Sequence, residues 1–377
     1  MKLGIIGGGQ LARMMVPPAQ RLGIEVWVLE NSDTSPAGLV GAHHLKGDWR
    51  DPKTCADFAR GMDVVTLDHE FAPLQALMAA EAESLLLPSV STMACIADKL
   101  EQKRHLQEAG IPTVKSRGFS SADELRAVAE EYGFPLMVKT RAGGYDGKGN
   151  FTLKSAEQIP KVFEELKGDL YAEKFLRFER ELAVMVARTR EGEVTVYPVV
   201  ETVQENHICV SVHFPAALSG ETVHKAEHVA RRAAQAVKSV GVLGVEMFLR
   251  SDGEVLVNEL APRPHNSGHY TLDCCLTSQF ENHVRAVCGL PLGSVQSTVE
   301  GGVMVNLLGD GHGSGRPHGL EKVLENPRAR MHLYGKTAKP GRKLGHLTVV
   351  GSESLAELQA QADELLEHLT FKETQEV

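Results

Sequence analysis

Short apolar runs alternate with amphipathic stretches through the first hundred residues of this 377-residue chain. "KLGII", "EVWVLE" and "VVTLD" read as strands, and a helix-like "QLARMMVPPAQRLG" separates the first two. The Pro17-Pro18 pair is expected to kink or shorten that helix. Alternating β and α segments predict a parallel sheet with covered faces.

The pattern changes near Asp98. "DKLEQKRHLQEAG" is a polar-rich helix ending at Gly110, and "SADELRAVAEEYG" begins with Ser121 and Glu124 in a capping arrangement. "FPLMVKT" and "NFTLK" then bracket a glycine stretch, which makes 134–154 a strand–loop–strand unit. Strands dominate 171–260: "YAEKFL", "ELAVMVART", "VTVYPVVET", "GVEMFLR" and "EVLVNEL". Beyond about 300, "VMVNLLG", "ARMHLYG" and "LGHLTVVG" precede a final amphipathic helix from about Leu355. The chain is therefore α/β, and α+β as a whole. Three domains are expected: 1–98, 99–295, and a small β-rich unit over 296–377.

Composition narrows the function. A formal net charge of −9 excludes the basic field of a nucleic-acid protein. No apolar run is long enough to span a membrane, and the first ten residues break at glycines, unlike a signal peptide. The six cysteines show no C-x-x-C spacing, so reduced thiols and a cytoplasmic location are expected. The sixteen histidines are scattered without H-E-x-x-H, which predicts no zinc site.

Two glycine loops are candidates for phosphate. Gly7-x-Gly9-x-x-Ala12 follows a strand and opens a helix, and Glu30 ends the next strand, as in a dinucleotide fingerprint. The same glycines also serve plain strand–helix packing. The second loop, "KTRAGGYDGKGN", lies between strands and so is not a Walker A loop. Its small residues admit backbone N–H groups to phosphate oxygens, with Lys139 and Lys148 supplying charge.

A third feature decides between them. In "GVEMFLRSDGEVLVNEL" the Asp252-Gly253 pair predicts a two-residue hairpin turn. Pairing Ser251 with Glu254 sets Glu246 opposite Glu259, with Cβ atoms roughly 5 Å apart. Facing carboxylates at that distance call for a cation, and Mg²⁺ shared with phosphate oxygens suits them. A glycine loop, lysines and a metal-binding hairpin together make an ATP site.

"KTRAGGYDGKGN", "VEMFL" and "NELAPRPHNSGHYT" resemble the ATP-grasp superfamily and, within it, the N5-carboxyaminoimidazole ribonucleotide synthetase family. The likeness runs from "GGGQLARM" through "DKLEQK" to "YGKTAKPGRKLGH". It implies an ATP-grasp fold behind a Rossmann-like preATP-grasp domain, with a glycine loop over 143–150 and a metal hairpin over 244–260. It also implies ATP- and bicarbonate-dependent carboxylation of 5-aminoimidazole ribonucleotide through carboxyphosphate, in a cytoplasmic homodimer that uses neither NAD nor biotin.

The resemblance assigns Lys99, Lys139, Gly144, Tyr145, Asp146, Gly147, Lys148, Gly149 and Asn150 to the nucleotide phosphates. Glu173, Lys174, Phe175, Leu176, Glu181 and Gln204 go to the adenosine, although members often carry histidine where Gln204 stands. Asn258 and Glu259 complete the nucleotide set, and Glu246 and Glu259 hold Mg²⁺. Arg263, His265, Asn266 and Ser267 cradle bicarbonate, while Lys336, Arg342 and Lys343 take the ribonucleotide phosphate. Gln10, Leu11, Glu70 and Tyr145 line the same cavity, and the catalytic set is Asp146, Arg263, His265 and Lys336.

Formate-dependent glycinamide ribonucleotide transformylase is the nearest rival within the fold, but it resembles "PRPHD" rather than "PRPHNSGH". Biotin carboxylase would need a longer C-terminal part. A Rossmann oxidoreductase leaves the glutamate hairpin unexplained, and a nucleotide sensor has no use for Arg263 or the Lys336 cluster.

Overall fold

The computed structural model describes residues 1–143, 149–205 and 208–371, which build three sheets. The first contains β1 (Lys2–Ile6), β2 (Glu25–Glu30), β3 (His43–Lys46), β4 (Val64–Leu67) and β5 (Leu85–Leu86) in the order 3-2-1-4-5. All its pairs are parallel, as the alternation predicted. β1 is central and buried after its first residue, which suits a sheet covered on both faces.

The helix Gln10–Arg21 is not shortened by its prolines: Pro17 and Pro18 lie inside it. Leu11, Met14, Met15, Val16 and Ala19 pack into one cluster with Phe280, Val284 and Val287 of the helix Gln279–Val287. Burying that face offsets the backbone hydrogen bonds the prolines remove.

The second sheet holds β6 (Ser116–Phe119), β7 (Leu136–Thr140), β8 (Asn150–Leu153) and β9 (Leu170–Lys174), antiparallel in the order 6-9-7-8. β7 and β8 are the two expected strands around the glycine loop, with Lys139 opposite Asn150.

The third sheet comprises β10 (Arg180–Arg188), β11 (Val194–Val196), β12 (Val200–Glu205), β13 (Ile208–Phe214), β14 (Gly241–Leu249), β15 (Val255–Ala261), β16 (Gly301–Leu308), β17 (Ala329–Leu333) and β18 (Lys343–Gly351). Its path is 15-14-10-12-13-16-18-17, with β11 on β10. "VTVYPVVET" is thus two strands split around Pro198. The expected C-terminal unit has its own core, where Val303, Val305, Leu347 and Val349 pack on Leu358 and Ala362. Its strands nevertheless continue the central sheet through β13 and β16.

The strand-dominated reading of 171–260 missed the helix Gly220–Ala236, capped by Ser219. Its signal was present in Ala226, Val229, Ala230 and Ala233, which recur at helical spacing and are all buried. No helix among the described residues is long and apolar enough to cross a membrane.

Candidate active site

The first glycine loop is closed by the protein's own acids. Glu30 accepts from the Gly8 amide at 3.0 Å, and Asp68 accepts from the Gly9 and Ala12 amides at 2.9 and 2.7 Å. A side chain at Gly9 would collide with the Asp68 carboxylate. Amides that would meet a pyrophosphate in a dinucleotide site are therefore engaged internally. Asp68 was not singled out in the sequence, although it ends the run "VVTLD". Lys336 reaches this edge and donates to Gln10 Oε1. Burial lowers the Lys336 ammonium to about 8, with Asp68 opposing and Arg342 and Lys343 reinforcing the shift.

The glutamate hairpin forms by a different register from the one expected. Arg250 pairs with Glu254 and closes a three-residue loop, with Gly253 at φ 78°. Left uncorrected, that one-residue slip would put the glutamates out of line. A bulge restores them: Met247 faces Val257, Asn258 is the extra residue, and Glu246 faces Glu259. Burial together with Glu259 and Glu181 pushes the Glu246 carboxyl up to about 7, although 32% of its side chain still meets solvent in the cleft. Lys99 Nζ donates to Glu259 at 2.9 Å.

Behind this pair lies a buried charge triad. Glu173 is 3% exposed and sits between Lys103 at 2.9 Å and Lys139 at 2.8 Å. Burial alone would raise its carboxyl, but the two ammonium groups outweigh it and hold Glu173 at about 2. Lys103, equally buried, shares one anion with a second cation, and burial lowers its value. Glu173 is therefore the better-compensated member. Its backbone also pairs with both neighbouring strands, β6 and β7.

The loop after β15 carries the bicarbonate candidates. Arg263 grips Glu70 through two of its guanidinium nitrogens, the Nη2 bond measuring 2.8 Å. Burial opposes the Glu70 charge, yet Arg263 holds the carboxyl at about 2. His265 Nδ1 accepts from the Ser267 amide and lies 2.8 Å from its hydroxyl, which leaves the Nε2 proton toward Glu246, 3.6 Å away. Burial, with Arg263 and Lys343, lowers His265 to about 3, so its imidazole is neutral and this contact is no ion pair at neutral pH. Asn266 and Asn306 exchange two amide hydrogen bonds of 2.8 Å. Gln279, unremarked in the sequence, clamps the loop by accepting from His265 N at 2.9 Å and donating to His265 O at 2.7 Å.

The remaining candidates divide. Glu181 faces Phe248 across the sheet and lies close enough to raise Glu246. Gly149 is left-handed at φ 88°, its carbonyl accepting from Thr140 N. Phe175 is 40% exposed, and Lys174 is exposed. Leu176 and Gln204 are half-buried. Arg342 folds onto its own loop and donates to Thr337 O and Oγ1 at 3.1 and 3.0 Å. It is thus less committed to the cleft than Lys336. Lys343 opens β18 and bears electrostatically on Glu246 and His265. Gly144, Tyr145, Asp146, Gly147 and Lys148 lie outside the described residues.

The histidines are not all scattered. His332 and His346 stack at 4.5 Å and 15°, and His332 Nε2 lies 2.9 Å from Asp273. Ligand atoms of the three residues lie within 4.8 Å of one another. Nearly parallel rings send their lone pairs side by side rather than toward one point, so the cluster is a poor tetrahedral cage.

Family models match along the chain: a ribonucleotide synthetase preATP-grasp domain over 1–97, an ATP-grasp domain over 104–280, and a phosphoribosylaminoimidazole carboxylase C-terminal domain over 302–361. The chain is 44% identical over 369 residues to a phosphoribosylaminoimidazole carboxylase of Ogataea methanolica, covering 95% of this chain and 67% of that protein. It spans 64% of the Saccharomyces cerevisiae protein of the same name. It is 38% identical to an N5-carboxyaminoimidazole ribonucleotide synthase of Bacillus subtilis, covering 98% and 94% of the two chains. The crystal structure of the Aspergillus clavatus synthase in complex with ADP and 5-aminoimidazole ribonucleotide superposes with a TM-score of 0.89 at 39% identity, over 97% and 98% of the chains.

Proposed function

Because the chain belongs to the N5-carboxyaminoimidazole ribonucleotide synthase family of ATP-grasp ligases, we propose that its cleft carboxylates the amine of 5-aminoimidazole ribonucleotide with bicarbonate as ATP is cleaved. The observation that carries this reading is the facing pair Glu246 and Glu259, with Glu259 on Lys99 and Glu246 beside His265. The pair joins a phosphate-binding side to an anion-binding side.

Two facing carboxylates, one of them pushed up to about 7, are a donor set that fits a hard divalent cation. Mg²⁺ held there would neutralise charge on the β- and γ-phosphates. Lys99 and Lys139 contact the same phosphates, to which residues 144–150 are also assigned. Glu181, with the 173–176 strand end, Gln204 and Asn258, flanks the nucleoside.

A bicarbonate oxygen attacks the γ-phosphorus, and the bond to ADP breaks. The amine nitrogen then forms a bond to the carboxyl carbon of carboxyphosphate, or to the CO₂ it releases. Phosphate departs, and the amine gives up a proton. Arg263 suits the anion because its planar fork matches carboxylate and phosphate oxygens. Neutral His265 donates through Nε2, with Asn266 and Ser267 completing the cradle. The ribonucleotide lies against Gln10, Leu11, Glu70 and Tyr145, its phosphate on Lys336, Arg342 and Lys343, with Asp146 at the reacting amine. Most of the catalysis here is positioning and charge neutralisation.

The test is ADP release with and without each co-substrate. ADP formation that requires both aminoimidazole ribonucleotide and bicarbonate supports the reading. ADP formation driven instead by glycinamide ribonucleotide and formate would replace it with the transformylase.

A further inference from the structure

Lys103 is a cation that no step above uses. It lies on the helix Lys99–Glu108, one turn from Lys99, and is 1% exposed. Burying an ammonium is costly unless several partners compensate it, so its partners show what the burial serves.

Those partners sit on different sheets. On one side Lys103 Nζ is 2.9 Å from Glu173 Oε1 of β9, at ion-pair distance but off hydrogen-bond alignment. The other Glu173 oxygen holds Lys139, which stands next to the glycine loop. On the other side Lys103 donates to the Asn258 carbonyl at 3.1 Å. Asn258 is the bulged residue that brings Glu259 opposite Glu246. The rest of the helix grips the same places. Lys99 bonds Glu259, Gln102 accepts from the Leu260 amide at 3.2 Å, and the helix cap Asp98 pairs with Arg141 at 2.6 Å.

We propose that Lys103 is a positioning residue that joins the four-stranded and nine-stranded sheets across the nucleotide cleft. Through Glu173 it sets how tightly Lys139 is held, and through Asn258 it holds the bulge that aligns the metal carboxylates. Without it, Glu173 has Lys139 as its one remaining ion-pair partner among the described residues. The carboxylate then draws that lysine away from phosphate. The Asn258 carbonyl also loses a donor. The proposal rests on the ATP-site reading given above.

The experiment is calorimetric titration of a non-hydrolysable ATP analogue, with and without Mg²⁺, into wild type, Lys103→Met and Lys103→Met/Glu173→Gln. Melting temperature and steady-state KM values are measured alongside. Lys103→Met should bind the analogue at least tenfold more weakly while the KM for aminoimidazole ribonucleotide stays within twofold. Adding Glu173→Gln should restore at least threefold of the loss by freeing Lys139, while the gain in affinity from Mg²⁺ stays reduced. Analogue binding within twofold of wild type in Lys103→Met, even at a lower melting temperature, would overturn the proposal, as would a loss that Glu173→Gln does not relieve. If the single variant does not fold, the double variant decides. A reduced Mg²⁺ enhancement supports the role, and a wild-type enhancement removes it. Wild-type protein that binds the analogue but makes no ADP with aminoimidazole ribonucleotide and bicarbonate would defeat the functional reading alone.

Discussion

Arg263 holds both carboxylate oxygens of Glu70 from 193 residues away, tying the loop after β15 to the end of the N-terminal sheet. The guanidinium thus fixes the loop on which we propose the anion binds. Arg263→Lys keeps the charge but cannot reproduce two parallel bonds. Turnover should fall at least a hundredfold, with the bicarbonate KM rising. Glu70→Ala leaves a largely buried cation without its carboxylate and should cost about 3 kcal/mol in urea unfolding. Unchanged unfolding midpoints would remove the structural half of this assignment.

The hairpin glutamates give a sharper test. Glu246→Gln and Glu259→Gln should each lower turnover at least a thousandfold at saturating Mg²⁺, because amides bind hard cations poorly. Glu246→Gln should leave thermal stability without metal equal or higher, since it removes a carboxylate that crowds Glu259. A variant with near-wild-type rates would sink the metal assignment.

Acid should unfold the protein through its buried pairs. Glu70 and Glu173 are held at about 2, below the ordinary 4.5, so their stabilisation is present above 4.5 and is lost as pH falls toward 2. Glu246 works in the opposite sense. Its value of about 7 gives metal-free stability that is full below 4.5 and lost as pH rises through 7. Added Mg²⁺ should therefore stabilise more at pH 8 than at pH 6. Denaturant titrations across pH check both signs, and Glu173→Gln should flatten the acid limb.

Lys336 and Arg342 should not weigh equally. Lys336 bonds Gln10 beside the first glycine loop, whereas Arg342 is spent partly on Thr337. Lys336→Met should raise the KM for aminoimidazole ribonucleotide by one to two decades, as about 1.5–3 kcal/mol per charged contact implies. Arg342→Ala should raise it less, and neither should move the ATP KM by more than about twofold. A rise confined to ATP would place the cluster at the wrong ligand.

The facing glutamates were legible because hairpin pairing is arithmetic, but the arithmetic rested on two errors that cancel. The turn is one residue longer than Asp252-Gly253 suggests, and the Asn258 bulge takes up the slip. An asparagine inside an apolar strand was the available hint. Lys103 was not legible, because a lysine in a polar helix reads as solvated until neighbouring sheets close over it. Its four-residue spacing from Lys99 says only that the two share a face. Asp68 and Gln279 were missed for a similar reason: each satisfies backbone groups of another segment, whose position only the fold sets.

The continuity of the central sheet at β13 and β16 bears on where the chain can be cut. β13 reads "ICVSVHF", without lysine, proline or a carboxylate to deter pairing with another chain. β16 occupies one margin of that strand along Ser211–Phe214. A fragment ending near residue 295 would bare a row of open amides and carbonyls on an apolar strand, an invitation to stack with copies of itself. The segment that brings Lys336 onto Gln10 also covers this strand, so its loss should drive self-association.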